Sequence, residues 1–295
     1  MNKGYTLKEY AEIINAYLEK VVPSCDFGED VVHEAMNYSL SIGGKRIRPV
    51  LVLEFARVCG GSIEDALAFA AALEMVHTYS LIHDDLPCMD NDDMRRGMPS
   101  CHIRYGYEYA LLAGDGLLTG AFGVIADSEI GKKNPAAALK AVSLLSSLAG
   151  ANGMIGGQVI DLKNENRNAD LETIQKMDEL KTGALIKCAA LLGCVSAGAD
   201  EEKIKAAKTY AQKIGQAFQI VDDILDVTGD EKNLGKPIGS DKESGKSTYY
   251  TLLGLEKAQE TADRLTDEAV EALSVFGDEA EFLKNLAYML SKREN

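Results

Sequence analysis

The chain has 295 residues, 46% hydrophobic and 26% charged, with 6 prolines and no tryptophan. That is the composition of a globular protein with a sizeable aliphatic core, and its wealth of Ala, Leu, Glu and Lys favours helix over strand. A formal net charge of −15 disfavours nucleic acid and anionic membrane surfaces as partners, although a local basic cluster or bound metal ions can still hold a small anion.

Met1–Lys20 is amphipathic and of mixed charge, without the apolar run of a signal peptide. Helical periodicity predicts helices over Leu7–Val22, Val31–Ile42, Pro49–Cys59, Ser62–Asp84, Tyr107–Asp127, Ala136–Gly150, Met154–Leu162, Leu171–Ala197, Glu202–Val227, Tyr249–Phe276 and Ala280–Lys292. Breakers fall between them at Pro23, Gly43-Gly44, Gly60-Gly61, Asn134-Pro135 and Gly229, and Lys181-Thr182-Gly183 interrupts the long helix over Leu171–Ala197. No segment shows strand-like alternation. The helices around Leu73, Leu117, Leu191 and Ile220 are apolar on most sides, which marks central helices wrapped by others. The most apolar stretches, Ala110–Ala126 and Gly183–Ala199, are interrupted by Asp115 and Lys187 and are not expected to span a membrane. Composition does not shift along the chain, so one all-α domain is expected over residues 1–295. The long polar, glycine-rich stretch Gly229–Ser247 is a candidate lid, since loops of that length in compact domains are functional or disordered. The cysteines, Cys25, Cys59, Cys88, Cys101, Cys188 and Cys194, form no CxxC pair and read as reduced thiols of a cytoplasmic protein.

Aspartate pairs recur at Asp84-Asp85 and Asp222-Asp223, each at the C-terminal end of a long apolar helix. In the second cluster, turn arithmetic puts Gln219, Asp222 and Asp226 within about 60° of one another. Stacked carboxylates repel, and a cation that neutralises them makes the arrangement tolerable; hard oxygen ligands suit Mg2+, which takes one or two carboxylates plus substrate phosphates. The alternative is a solvated acidic face. In the first cluster Asp84 and Asp90 are six apart, but Pro87 disrupts the helix and lets the chain fold Asp90 back toward Asp84. His77 lies one heptad before Asp84 on about the same face, and Arg95-Arg96-Gly97 follow. The segment Gly43-Gly44-Lys45-Arg46-Ile47-Arg48-Pro49 sets three basic residues at a helix start, where backbone N–H groups and the helix dipole also favour an anion. Taken alone, such a segment is more commonly a basic surface turn. His33, His77, His83 and His102 lack zinc-ligand spacing, and no nucleophile motif is present.

Together these segments resemble the short-chain trans-prenyltransferases, with bacterial farnesyl diphosphate synthases the nearest pattern. The resemblance rests on GGKRIRP from Gly43, SLIHDDLPCMDNDDMRRG from Ser80, LAGDGLL from Leu112, GGQVIDL from Gly156, LKTGALI from Leu180, FQIVDDILD from Phe218 and LGKPIGSDKESGKSTY from Leu234, in that order over nearly the whole chain. It implies an all-α, single-domain isoprenoid-synthase-type bundle around a deep central cavity, in a homodimer. It implies three Mg2+ ions (or Mn2+) on Asp84, Asp85, Asp90, Asp222, Asp223 and Asp226. Arg95, Lys181, Lys236 and Lys246 would bind the allylic diphosphate of dimethylallyl or geranyl diphosphate. Lys45, Arg48, His77 and Arg96 would bind isopentenyl diphosphate. Lys181, Thr182, Gln219 and Lys236 would serve the chemical step, with Thr182 and Gln219 facing developing positive charge. In this family the residue five before the first aspartate often floors the product cavity; here it is Tyr79, followed by Ser80, a pattern that resembles farnesyl more than geranylgeranyl or geranyl diphosphate synthases. A non-catalytic regulatory subunit would be expected to lack one aspartate motif, and both are intact.

Overall fold

The computed structural model describes residues 5–22, 30–164, 167–228 and 247–292. The candidate-lid lysines Lys236 and Lys246, together with Cys25 and residues 293–295, lie outside the described residues. The chain forms two compact units, Met1–Ser143 with Val195–Gly198, and Leu144–Cys194 with Ala199–Asn295.

The first unit begins with α1 (Leu7–Val21), started by a reciprocal capping box in which Glu9 N–H donates to the Thr6 hydroxyl and Thr6 N–H to the Glu9 carboxylate. Tyr10, Ile14 and Leu18, four residues apart, are its buried stripe. Helices α2 (Val31–Ser41) and α3 (Ile47–Val58) follow, and then the 22-residue α4 (Ile63–Asp84). Five alanines and a run of large aliphatics leave α4 buried on nearly every side. It packs against α3 and against α6 (Tyr107–Asp127), whose buried face of Ala110, Ala113, Gly114, Leu117, Ala121 and Ile125 is mostly small. Between α4 and α6 the described strands are a two-residue pair, β1 (Met94–Arg95) and β2 (Met98–Pro99), and then the short helix α5 (Cys101–Tyr105). The sequence shows no alternation there because the hairpin is made by its turn: Arg96 and Gly97 both have positive φ, at 53° and 77°, the geometry that matches the strand twist. Short α7 (Glu129–Lys133) and α8 (Pro135–Ala149) complete the passage toward the second unit.

The second unit contains α9 (Met154–Asn164), α10 (Leu171–Lys181), most of α11 (Gly183–Ala197) and the 28-residue α12 (Glu201–Thr228). The helical stretch Leu171–Ala197, interrupted in sequence at Lys181-Thr182-Gly183, is two helices bent by 42° at that point. After the undescribed stretch come α13 (Tyr249–Leu253), α14 (Leu255–Ala272), a 3-10 turn (Leu273–Ala280) and α15 (Glu281–Ser291). Gly254, at φ 77°, divides what periodicity reads as a single helix from Tyr249. Helix α12 packs on α14, and the buried Tyr210 hydroxyl donates to the Leu283 carbonyl at 2.9 Å.

By length and hydropathy alone, α6 and the stretch Pro135–Asn164 could cross a bilayer, which the sequence does not anticipate for either; a third of each apolar window is buried in this chain. Tyr107, Tyr109, Leu111 and Leu112 of α6 and Leu139 of α8 are exposed.

Candidate active site

Helix α4 delivers the first aspartate cluster. Its last residue is Asp84, and Leu86–Pro87 turns the chain so that Asp90 N–H donates to the Asp84 carbonyl at 2.8 Å. The six-residue spacing thus closes into one loop, as the proline predicts. The neighbouring carboxylates differ in kind. Asp84 is half-exposed and Asp90 exposed, whereas Asp85 is buried. The guanidinium of Arg95, on β1, donates through Nε to both Asp85 oxygens at 3.0 and 3.2 Å, and also reaches Asp92. Burial pushes the Asp85 carboxyl up from its ordinary range, and Arg95 opposes that shift.

The basic loop lies against the same helix. Arg48, at the start of α3, donates to Nε2 of His77 on α4 at 3.3 Å. Burial, then Arg48, Arg96, Arg46 and Arg95, hold His77 well below the usual imidazole range. A neutral ring that accepts at Nε2 carries its proton at Nδ1, which leaves one donor beside the arginines. Lys45 is exposed and Arg48 half-buried. Arg46, between them, faces inward. It is 5% exposed, and its guanidinium donates to Asn15 of α1 (3.0 Å), to Glu74 of α4 (2.6 Å) and to the Leu40 carbonyl at the end of α2. Its backbone is left-handed, φ 50°. Arg96, also left-handed, donates to the Gly43 carbonyl. Left-handed backbone at a residue other than glycine costs on the order of 1–3 kcal/mol and persists where surrounding contacts over-determine it; the instances at Arg46 and Arg96 bind the one basic loop.

In the second unit the pattern of the aspartates repeats. Asp222 and Asp226 are half-exposed, and Asp223 is buried. The two Asp223 oxygens accept from Gln219 Nε2 at 3.2 Å and from the backbone N–H of Tyr249 at 2.8 Å. Gln219 in turn accepts from the Thr182 hydroxyl at 3.3 Å, so Tyr249, Asp223, Gln219 and Thr182 form one hydrogen-bonded chain. Lys181, at the bend between α10 and α11, pairs with Asp161 of α9. The helices approach closely there: a Cβ on Gly157 would lie 2.2 Å from Lys181 N. Behind them sits Asp178, 4% exposed, whose carboxyl is pushed up to about 8 by burial and then by Asp223. The buried Tyr249 hydroxyl lies beside it.

A family model for polyprenyl synthetases matches residues 29–287. Farnesyl diphosphate synthase of Escherichia coli is 43% identical over 267 residues, 90% of this chain and 89% of that protein. Geranylgeranyl diphosphate synthase of Cyanophora paradoxa is also 43% identical, over 98% of this chain and 96% of that protein. Among solved structures, an FPP/GFPP synthase from Zymomonas mobilis superposes with a TM-score of 0.86 at 37% identity, covering 96% of this chain and 97% of that one. A geranyltransferase from Legionella pneumophila gives 0.88 at 32%, covering 98% and 96%. The chain belongs to the polyprenyl synthetase family. It is a short-chain prenyltransferase with the all-α isoprenoid-synthase fold.

Prenyltransferases of this family are generally dependent on a divalent metal, and the donors present suit a hard cation. Among the described residues no three His, Cys, Asp or Glu side chains converge as a ready-made cage. Mg2+ needs none, because it takes one or two carboxylates and completes its octahedron with phosphate and water oxygens. The accessible carboxylates of Asp84, Asp90, Asp222 and Asp226 fit that demand, and the buried Asp85 and Asp223 have protein donors on both oxygens. The sequence groups Arg46 with Lys45 and Arg48 at the basic helix start, whereas the structure turns it inward; the sequence does not single out Glu74, Asp178 or Tyr249. Glu74 had a readable signal: a carboxylate in the middle of an apolar helix requires a buried partner.

Proposed function

We propose that this prenyltransferase condenses isopentenyl diphosphate with dimethylallyl and then geranyl diphosphate to give (E,E)-farnesyl diphosphate, its two units acting as one catalytic domain. Asp84, Asp90, Asp222 and Asp226 would hold the Mg2+ ions, and Asp85 and Asp223 would fix the segments that carry them. Bound metal would neutralise the charge that builds on the leaving diphosphate. Arg95, Lys181, Lys236 and Lys246 would add cations at the same oxygens; such groups stabilise the leaving group more in the transition state than before it, which accelerates ionisation. Lys45, Arg48, Arg96 and the His77 Nδ1–H would hold the diphosphate of isopentenyl diphosphate. The oxygens of Thr182 and Gln219, oriented by the chain that starts at Tyr249, would face the allylic cation. The double bond of isopentenyl diphosphate attacks that cation, and the proton then lost passes to the departing diphosphate, so no protein base is required.

The observation that carries the C15 assignment is Tyr79. It is 6% exposed on α4, five residues and about 7.5 Å before Asp84 along the helix axis, where a bulky ring would stop chain growth. Geranylgeranyl diphosphate synthesis is the second reading, supported by relatives of that name at 43% and 46% identity. Incubation with dimethylallyl and isopentenyl diphosphates and Mg2+, followed by chromatography of the dephosphorylated products, separates the two. A C15 product is expected; a sole C20 product refutes the assignment. Folded Asp84→Ala and Asp222→Ala proteins that condense substrate as fast as the parent would refute the metal sites. We further propose a cytoplasmic homodimer, with the exposed apolar side chains of α6 in its interface.

A further inference from the structure

The imidazole of His83 is wedged between two helices and backs the ring of Tyr79. The two residues are one turn apart on α4, with ring centroids 5.6 Å apart and planes at 82°, the edge-to-face arrangement that aromatic pairs favour. On its other side His83 Nε2 lies 3.0 Å from the Leu111 carbonyl of α6; a carbonyl only accepts, so Nε2 carries the proton and donates. The space for the imidazole exists because residue 114 is glycine. A Cβ there would stand 2.1 Å from His83 Nε2 and 2.5 Å from its Cδ2. Gly114 is itself buried on the face of α6 that packs against α4. The ring is therefore seated against backbone, which does not yield as a flexible side chain would.

We propose that product length in this enzyme is set by a three-part latch, in which the seat at Gly114 and Leu111 holds His83 and His83 holds the ring of Tyr79 in place. This rests on the reading of Tyr79 as the floor of the product cavity and makes His83 and Gly114 positioning residues that act through it. Tyr79 alone is a long side chain with two rotatable bonds; a floor that moves with its rotamers would give mixed products. Backed by an imidazole pinned at both edges, it keeps one position. Neither His83 nor Gly114 needs to touch substrate for this effect.

The test is the ratio of C20 to C15 product, which a variant that merely folds less well or turns over more slowly does not change. His83→Ala removes the backing ring and is expected to raise that ratio about tenfold, the change that the upper range of one aromatic pair corresponds to. Gly114→Ala evicts the imidazole without altering α4 and is expected to raise it in the same direction. Tyr79→Ala lengthens the product by itself, and in that background His83→Ala is expected to add nothing, because its effect passes through the missing ring. An unchanged ratio in both His83→Ala and Gly114→Ala overturns the latch while leaving Tyr79 as the floor. So does a further increase from His83→Ala in the Tyr79→Ala background. If Tyr79→Ala still makes only C15, the floor assignment fails and the latch fails with it.

Discussion

The ion pair of Arg46 and Glu74 offers a way to separate support of the basic loop from simple stability. The two groups are 2.6 Å apart and each side chain is 3% exposed. Glu74→Ala leaves a buried guanidinium without its counter-charge, a loss of about 3–5 kcal/mol. At about 2–4 °C per kcal/mol for chains of this size class, the melting temperature should fall by roughly 6–20 °C. Replacing the pair by apolar residues of similar volume, Arg46→Met with Glu74→Leu, should recover most of that loss, since buried pairs are often no better than the hydrophobic contacts that replace them. The double variant still lacks the three tethers that hold residue 46 in its left-handed conformation between Lys45 and Arg48. Its KM for isopentenyl diphosphate should therefore rise on the order of tenfold or more, the worth of one or two charge-assisted hydrogen bonds, while the KM for geranyl diphosphate stays near the parent value. Calorimetry and steady-state kinetics with each substrate varied in turn provide the readouts. A double variant with parent stability and an unchanged KM for isopentenyl diphosphate would refute the positioning argument; a loss below about 1 kcal/mol in Glu74→Ala would refute the structural one.

Gly157→Ala places a methyl group 2.2 Å from Lys181 N and 2.6 Å from its Cα. Backbone cannot step aside, so α9 and α10 must part. Overpacking should cost about 1–3 kcal/mol, and the displaced Lys181 should lower kcat on the order of a hundredfold. Gly123→Ala, in the interior of α6 with nothing within 4 Å of the added atom, is the control and should stabilise the chain by about 0.5–1 kcal/mol; equal kcat in the two variants would sink the close-packing account. Asp178 gives a pH signature. Its carboxyl stays protonated in the folded chain up to about 8, whereas the unfolded chain loses that proton near 4. Between those values the folded state binds the extra proton, so stability falls as pH rises through the window. Asp178→Asn removes this dependence. In metal-free buffer its advantage in melting temperature over the parent should grow from pH 5 to pH 8, and a constant difference would show that Asp178 is ionised throughout.

Much of the fold was legible because the helices are long and their breakers strong. Tyr107–Asp127 matches to the residue, and the return of Asp90 to Asp84 follows from Pro87 alone. The interruption at Lys181-Thr182-Gly183 was legible in the sequence, but periodicity missed the break at Gly254 because one residue of changed backbone leaves the apolar pattern on either side intact. It missed the Met94–Pro99 hairpin because a four-residue ladder is too short to show alternation and its turn uses Arg96 where asparagine would have been the signal. At the site, residue types were readable but their division of labour was not. Asp84 and Asp85 are identical in sequence terms, yet a 100° step around α4 sends one to the accessible side and the other to Arg95.

That step explains why aspartates come in pairs at both helix ends. In each pair the first aspartate is the more accessible and the second is buried against protein donors. Asp85 draws in the arginine of the hairpin, and Asp223 ties Gln219 to the backbone at Tyr249. The same logic governs the basic loop, where the buried Arg46 takes three tethers while Lys45 and Arg48, on either side of it, remain at or near the surface. Charge in this protein is thus deployed in adjacent couples, one member turned inward to fix geometry and one left accessible for a diphosphate or its metal. The inward member cannot be replaced by a neutral residue of the same shape without leaving a buried partner uncompensated.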